Sequence, residues 1–483
     1  MGYSNRFTYT ETAGRGTVAT KPGTVVEQRS TMKQRHLGIA AIAATSVLLF
    51  SGCAAGGDGG DADTLKVAYQ KFGQFTQMDA HMKKVKEEFE AANEGMTVEL
   101  VPIEAQEADY FAKLALMNRS AATAPDVMYE DTFMVKTDVE AGYLAPLDDY
   151  IAEWEDWEQF PENARQAGAG DDGKIYGIPM GTDTRAIWYN QEILSAAGVE
   201  VPWAPETWDD ILETAEAVKA YDPEIVPFNI YSGKGQSEGA SMQGFQMLLS
   251  GTEDELFDTD EQKWILGSQG FEDSLGFIED IYQGGLGPTP QQALDKNIGT
   301  TINSEWIPGG TLAMSLDGSW ASGTWIETGS SPWPEWSEVL QVAAMPTQEG
   351  QEPGRTSMSG GWTLAMGAGS QNKDAAWDFI STALNQENSL SYDVAASQVA
   401  VRTDVAEDPE YTDANPTFGF FSELVSDTHF RPANSDYSKI SAEITVAMES
   451  VMTGQQSPEE AAATYDQAVI GIVGEENTMA ASN

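Results

Sequence analysis

Residues 176–219 read YGIPMGTDTRAIWYNQEILSAAGVEVPWAPETWDDILETAEAVK, and this stretch decides the fold. It places a polar tetrad, residues 182–185 (TDTR), directly before a run of β-forming residues, 186–189 (AIWY). Burying unpaired polar groups is costly, so ionisable residues at the start of a buried strand usually meet water or a ligand. Downstream, Thr207 can cap a helix that has Asp210 at its third position. The stretch therefore predicts a strand, a loop and a capped helix, with a polar site where the strand begins.

The chain before this stretch alternates strand-like and helix-like patterns. Three apolar runs between residues 64 and 129 read as strands, with helical spacing between them, which predicts a parallel α/β layer. In open α/β sheets ligands collect beyond the carboxyl ends of strands. That rule nominates Gln74, Glu130 and Asp131, which follow the first and third strands. The alternative for the two carboxylates is a solvated loop or a helix cap.

Aromatic residues beside glycines mark two later strands. The strand before Asp317 breaks at a D-G turn that is followed by Trp320, and Trp362 stands between two glycines and a strand at 363–366. Residues 339–346 (VLQVAAMP) read as one further strand. Ser457, followed by P-E-E, predicts the start of a helix.

These motifs resemble those of the extracellular solute-binding proteins of carbohydrate-importing ABC transporters, the family that includes maltose-binding protein. The similar segments are I-P-x-x-T-D-T with Y-N and T-W-D-D, then G-x-x-A-M ending in D-G-x-W, and G-G-W before K-D-A-A-W. The resemblance implies an α/β fold of the periplasmic-binding-protein-like type II, in which a multi-segment hinge joins two α/β lobes around a ligand cleft. It implies that residues 64–183 and 344–400 form lobe one, and that residues 184–343 and 401–483 form lobe two.

The resemblance also implies the ligand-binding residues. Trp320 would stack on a sugar, Trp362 would meet the ligand, and Asp183 would accept hydrogen bonds from sugar hydroxyls; the alternative for Asp183 is a structural pair with Arg185. Arg431 could instead bind Asp436 locally. The full set of expected ligand-binding residues is Gln74, Glu130, Asp131, Asp183, Arg185, Tyr231, Asp317, Trp320, Trp362, Arg431 and Tyr437.

The first 63 residues carry a targeting pattern. Residues 32–52 combine a charged start, an apolar run shorter than the roughly 20 residues of a membrane span, and small residues before Cys53. This predicts a signal peptide and resembles a bacterial lipobox, whose cysteine is lipidated; the alternative is a cleaved signal with an incidental cysteine. Residues 1–31 are interpreted as an upstream extension that precedes the true start, and residues 53–63 as a flexible tether.

Composition excludes several classes of protein. The chain has 483 residues, a formal net charge of −50 and a single cysteine. Its length predicts more than one core, and one cysteine excludes an internal disulfide and a Cys-based metal cluster. So acidic a surface repels phosphate backbones, and we expect no nucleic-acid partner. Three histidines and the lack of G-x-S-x-G and H-E-x-x-H motifs argue against an enzyme, and no cofactor or metal site is predicted.

The sequence thus predicts a monomeric substrate-binding lipoprotein, anchored by lipid at the extracellular or periplasmic face of the cell membrane. It would bind a di- or oligosaccharide and deliver it to the permease subunits of an ABC importer. Two alternatives stay open. One is a binding protein for a non-sugar solute such as a polyamine, a phosphodiester or a peptide, and the other is a secreted glycoside-processing enzyme that uses two carboxylates.

Overall fold

The computed structural model describes residues 63–71, 73 and 75–481. The predicted extension, signal peptide, Cys53 and Gln74 lie outside the described residues. Within the described ranges, no helix is both long enough and apolar enough to span a bilayer.

The strands of the described residues lie in four sheets. In chain order they are β1 (Thr64–Lys71), β2 (Thr97–Glu104), β3 (Val127–Asp131), β4 (Gly177–Gly181), β5 (Arg185–Asn190), β6 (Val226–Asn229), β7 (Phe257–Asp258), β8 (Lys263–Leu266), β9 (Leu312–Gly318), β10 (Leu340–Ala343), β11 (Met345–Pro346), β12 (Arg355–Met358), β13 (Trp362–Met366), β14 (Thr428–His429) and β15 (Thr478–Ala480). Two small sheets, β11-β12-β14 and β15-β8-β7, accompany the two main ones.

The longer helices lie between these strands and in the last quarter of the chain. They are α1 (Gln77–Ala92), α2 (Glu107–Asn118), α3 (Trp208–Tyr221), α4 (Gln269–Gln283), α5 (Lys373–Ala383), α6 (Gln386–Ala396), α7 (Tyr437–Met452) and α8 (Pro458–Val473). Among the shorter helices, two are π-helical, Ser241–Gln246 and Ile302–Trp306.

The first main sheet has the strand order β2-β1-β3-β13-β4. Its strand β1 pairs in parallel with β2 and β3, as predicted, and β13 joins antiparallel between β3 and β4. A parallel sheet is apolar on both faces and needs cover on both. Helices α1 and α5 cover one face, where Phe89 meets Phe379, and α2 covers the other with Tyr110 and Leu114. We call this sheet and its helices the first half.

The second main sheet has the order β10-β5-β9-β6 and forms the second half together with α3, α4, α7 and α8. The predicted cap of α3 is confirmed, because Thr207 and Asp210 form a reciprocal capping box. One face of α3 is buried and comprises Trp208, Ile211, Ala215 and Val218. Ser457 likewise caps α8.

The prediction of one strand over residues 339–346 is wrong. The structure divides it into β10, which pairs with β5 of the second main sheet, and β11, which pairs with β12 of a small sheet. The division follows from pairing, because Ala344 stands between two strands that have different partners. The chain leaves the second half at this point.

Three segments of chain connect the halves. Residues 182–184 lead from β4 to β5, residues 344–361 lead from β10 to β13, and residues 397–402 leave the first half after α6. The lobe boundaries expected from the sequence stay a prediction. The chain passes from one main sheet to the other within these segments.

The connecting segments hydrogen-bond to one another. Thr182 and Val399 exchange two backbone hydrogen bonds of 2.9 Å each. The Ser359 hydroxyl donates to the Asp183 carbonyl oxygen at 2.8 Å, and the Gly360 N–H donates to Asp183 Oδ1 at 3.0 Å. Glycine is needed next in the chain, because Gly361 has φ of +133° and a Cβ there would lie 2.7 Å from the Gly181 carbonyl oxygen.

Arg402 anchors the end of the third connecting segment. Its guanidinium is 2% exposed and donates to both Asp404 carboxylate oxygens, to Asp156 at 3.0 Å and to the Leu384 carbonyl at 2.7 Å. A buried arginine with this many partners is costly to remove, because its acceptors lose their donors.

We expect Arg402→Met to lower the free energy of unfolding by about 3 kcal/mol, measured by urea denaturation. The matched control is Arg355→Met, which removes a pair with Asp427 whose arginine side chain is 41% exposed. That change should cost less than about 1 kcal/mol. Equal losses in the two variants would contradict an anchoring role for Arg402.

Candidate ligand-binding site

A cavity of about 210 Å³ lies between the two halves. Gln70, Asp131 and Asp317 stand in its wall at the carboxyl ends of β1, β3 and β9, and Tyr231 follows the end of β6. Strand ends of both main sheets therefore face one space, in agreement with the rule that ligands collect beyond the carboxyl ends of strands.

Most of the residues nominated from the sequence meet at this cavity. The eight that line it are Asp131, Asp183, Arg185, Tyr231, Asp317, Trp320, Trp362 and Arg431. Their contribution to ligand binding stays a prediction, but the structure brings them together from positions as far apart as 300 residues in the chain.

Two nominated residues do not line the cavity. Glu130 was expected in a loop, but β3 continues to Asp131, and successive strand residues face opposite sides of the sheet. The Glu130 carboxyl therefore faces Asp138 and is 1% exposed, and burial raises its pKa well above the ordinary value. Tyr437 lies behind the cavity wall, where its hydroxyl donates to Glu238 Oε2 at 3.0 Å.

Arg431 joins carboxylates of both halves. It donates to Asp131 Oδ1 at 2.7 Å and to Glu238 Oε2 at 3.3 Å, and its guanidinium lies 4.2 Å from the Phe133 ring centroid. The local pairing with Asp436 that the sequence allowed is not formed; Asp436 instead accepts from Lys439 at 2.8 Å.

Asp183 and Arg185 form an ion pair at the start of β5. The structural pair of Asp183 with Arg185 is therefore formed. Asp183 also accepts from the Gly360 N–H and lines the cavity, and its contact with a sugar stays a prediction. The Arg185 guanidinium lies 4.7 Å from the Trp320 ring centroid, which holds the indole by a cation–π contact. Gly318 is required here, because a Cβ would lie 2.0 Å from the Trp320 ring.

Asp317 is held by neutral donors. Its carboxylate accepts from the Tyr231 hydroxyl at 2.9 Å, from Gln243 Nε2 at 3.3 Å, from Asn303 Nδ2 at 3.4 Å and from the Gly318 N–H at 2.8 Å. Burial raises the pKa of Asp317, and the surrounding donors oppose that rise. The carboxylate and its amide neighbours thus form a fixed polar corner of the cavity.

Trp362 forms an aromatic face on the first half. Its ring is stacked on Tyr129 with centroids 4.2 Å apart and planes 5° apart, and Tyr110 and Phe111 pack against its edges. Packing on several sides fixes the orientation of the indole before any ligand arrives.

The cavity is rich in carboxylates. Five carboxylic acids (Glu107, Asp131, Asp183, Glu238 and Asp317) and three basic residues (Arg185, Lys296 and Arg431) line it. Burial, together with the charges of Glu238 and Asp131, raises the pKa of Glu107 to about 7 against the opposing influence of Arg431 and Arg185. Burial also raises the pKa of Asp131 to about 6, although Arg431 opposes the rise.

Sequence reasoning missed several lining residues. Glu107, Glu238, Gln243 and Asn303 were not nominated, although all four line the cavity. Gln243 and Asn303 lie on the two π-helical segments, which often occur at functional sites but leave no pattern in the sequence. Glu107 begins α2, where an acidic residue is read as an ordinary helix start. Among residues 63–71, 73 and 75–481, no cluster of three or more His, Cys, Asp or Glu could hold a metal ion.

A family model described as bacterial extracellular solute-binding protein matches residues 84–419. The maltotriose-binding protein of Pyrococcus abyssi is 26% identical over 304 residues, which is 62% of this chain and 60% of the relative. The erythritol/L-threitol-binding protein of Mycolicibacterium smegmatis is 24% identical over 384 residues, which is 73% of this chain and 76% of the relative.

Solved structures share the fold. An ABC transporter solute-binding protein from Thermotoga lettingae, bound with α-D-tagatose, superposes with a TM-score of 0.73 at 23% sequence identity. The likeness covers 85% of this chain and all of that one. It confirms the predicted periplasmic-binding-protein-like fold.

The raised pKa of Glu107 gives a pH-dependent stability. Between the ordinary value of 4.5 and about 7, the folded chain holds a proton at Glu107 that the unfolded chain releases. The free energy of unfolding should therefore fall as pH rises through this window. Glu107→Gln, which is always neutral, should match the wild type near pH 4.5 and become more stable than the wild type above pH 7.

Urea denaturation from pH 4.5 to 8 measures this difference. The control Glu99→Gln removes one exposed negative charge from β2. Asp131 titrates in the same direction and should leave some slope in both variants. A constant difference between Glu107→Gln and the wild type across this range would contradict the assignment.

Proposed function

The chain belongs to the bacterial extracellular solute-binding protein family, and from that premise we propose that it binds a sugar in the cavity and delivers it to the permease of an ABC importer. Members of this family are binding proteins and not enzymes, in agreement with the prediction from the sequence. The proposal rests most heavily on one observation: Trp320 and Trp362, from different halves, line one cavity with fixed carboxylate and amide groups.

This combination suits a polyhydroxylated solute. A sugar presents C–H faces, which pack on indole rings, and hydroxyl edges, which need acceptors and donors in defined directions. Asp183 and Asp317 are held by other donors, so their oxygens keep their orientation for a ligand. Relatives named for binding maltotriose and erythritol support the same class of ligand.

Delivery would depend on closure of the two halves. A ligand that contacts both halves favours the arrangement in which they are together, because it binds that arrangement more tightly than the open one. The connecting segments around Thr182 and Asp183 would act as the hinge, and the closed form would present both halves to the permease.

One observation favours a second candidate, a cationic solute such as a polyamine. Five carboxylic acids against three basic residues line the cavity, and Glu107 has no guanidinium bound to it among the contacts of the described residues. A diamine could place its ammonium groups among these oxygens. The aromatic faces would then contribute cation–π contacts.

We expect Trp320→Ala and Trp362→Ala each to weaken sugar binding at least tenfold, which corresponds to about 1.4 kcal/mol. The measurement is titration calorimetry against a panel of sugars, alditols and polyamines. Trp333→Ala is the matched control, because Trp333 packs against Trp325 outside the cavity. Sugar affinities within twofold of the wild type in both cavity variants would refute this placement of the site, and binding of polyamines alone would refute the sugar.

We also propose that Cys53 carries a lipid that anchors the protein at the outer face of the membrane, as the sequence motif predicts. Cys53→Ser should abolish incorporation of radiolabelled palmitate and move the protein from the membrane fraction to the medium or periplasm. The control Ser51→Ala leaves the cysteine in place and should keep both label and membrane retention. Retention of Cys53→Ser in the membrane fraction would contradict the anchor.

A further inference from the structure

At the cavity wall the two halves are joined, among other contacts of the described residues, by one ion pair and two hydrogen bonds. The ion pair is that of Arg431 with Asp131. In the two hydrogen bonds, Gln106 Nε2 donates to the Lys296 carbonyl at 3.0 Å, and Gln77 Nε2 donates to the Gly323 carbonyl at 3.1 Å. We call the ion pair the Arg431 bridge.

The Arg431 bridge is buried and has an apolar flank. Arg431 is 8% exposed and Asp131 is 3% exposed. Phe133 and Met134, which follow Asp131 in the first half, belong to the hydrophobic core of the second half. The Phe133 ring packs 5.2 Å from that of Tyr437. Separating the halves here would expose apolar surface and break a buried ion pair.

The two amide contacts oppose separation of the halves less strongly than the Arg431 bridge does. A neutral hydrogen bond contributes about 1 kcal/mol, and water replaces it readily where it is exposed, as at Gln106. A broken buried ion pair instead leaves a charge without its partner, and the hydroxyl of a sugar does not supply the missing charge. Separating the two halves therefore costs more free energy at Arg431 than at Gln77 or Gln106.

We propose that the cavity accepts a compact polyhydroxylated solute of monosaccharide size, a monosaccharide or an alditol, and that the Arg431 bridge sets this limit on length. This inference rests on the proposed sugar-binding function and narrows the di- or oligosaccharide expected from the sequence. The cavity volume of about 210 Å³ agrees with it, because pockets for drug-sized ligands enclose roughly 300–1,000 Å³.

Sugars longer than one unit gain no binding free energy from their additional rings in this geometry. A second sugar ring directed at the Arg431 bridge has to break it. A ring directed past Gln77 or Gln106 replaces a contact between the halves and comes to lie outside the cavity. Affinity should therefore fall as sugar units are added.

The test is a length series with the wild-type protein in titration calorimetry. Aldopentoses, aldohexoses and C4–C6 alditols are compared with the di- and trisaccharides built from the same units. We expect the tightest ligand to be a monosaccharide or an alditol, and its trisaccharide homologue to bind at least tenfold more weakly. A trisaccharide that binds tenfold more tightly than its monosaccharide would overturn the length limit and leave the sugar-binding function standing.

Removal of the bridge should change this preference. The double variant Asp131→Asn with Arg431→Gln removes both charges of the bridge together. Glu238, which also loses Arg431, keeps the hydrogen bonds of the Tyr437 and Ser441 hydroxyls. We expect the ratio of trisaccharide to monosaccharide affinity to rise at least tenfold, whereas the control Arg355→Gln, at an ion pair outside the cavity, keeps the wild-type ratio. A ratio within twofold of the wild type in the folded double variant would overturn the role of the bridge.

The length series with the wild type decides the size limit even if the double variant fails to fold, and Phe133→Ala then tests the same contact through its apolar flank. Its trisaccharide-to-monosaccharide ratio should rise in the same direction, and an unchanged ratio would count against the bridge. A wild-type protein that binds polyamines and no sugar or alditol would overturn both the proposed function and this inference.

Discussion

Hydrogen bonding among the three connecting segments is the constraint on which the arrangement of this molecule depends. Thr182 and Val399 pair through their backbones, and Asp183 accepts from both Ser359 and Gly360. Three crossings that are bound to one another restrict the halves to bending and twisting about a single region. The same contacts fix Asp183, and through it Arg185, at the base of the cavity.

The cavity is organised before a ligand enters it. Each of the aspartates 131, 183 and 317 already accepts hydrogen bonds from protein donors, so the oxygens that face the cavity have defined directions. Trp320 rests on a guanidinium, and Trp362 rests on a tyrosine ring. Groups that are held in place lose little freedom when a ligand binds, which favours affinity. Glu107 departs from this pattern, since burial and, after it, the neighbouring carboxylates raise its pKa and favour its neutral form.

The halves are joined unequally around the cavity. Beside Arg431, side chains of the first half enter the core of the second, so that packing and charge act together. At Gln77 and Gln106 the side-chain amide group donates a single hydrogen bond across the boundary. The limit that we propose on the length of the solute follows from this inequality rather than from the fold class.

Much of the fold followed from local patterns. The capping box at Thr207 and the parallel pairing of the first strands follow from patterns of residues close together in the chain. The turn predicted at residues 317–318 is wrong, because both residues pair with β5 and end β9, and Trp320 follows the end of that strand. The motifs around Asp183 and Trp362 also located the cavity, because they sit where the chain passes between the two sheets.

Other features depended on distant parts of the chain. The end of β3 was misjudged by two residues, since its length is set by pairing with β13 and not by its own sequence. Glu130 therefore lies in the strand and faces away from the cavity, whereas Asp131, which was also nominated, lines it. Glu238 and Asn303 gave no signal, because each acquires its role from partners far away in sequence. By itself the sequence determined many of the elements, the fold class and several of the motifs that face the cavity. Only the tertiary structure decided which charges meet there, because Asp131 and Arg431 are 300 residues apart and their pairing depends on how the two halves close.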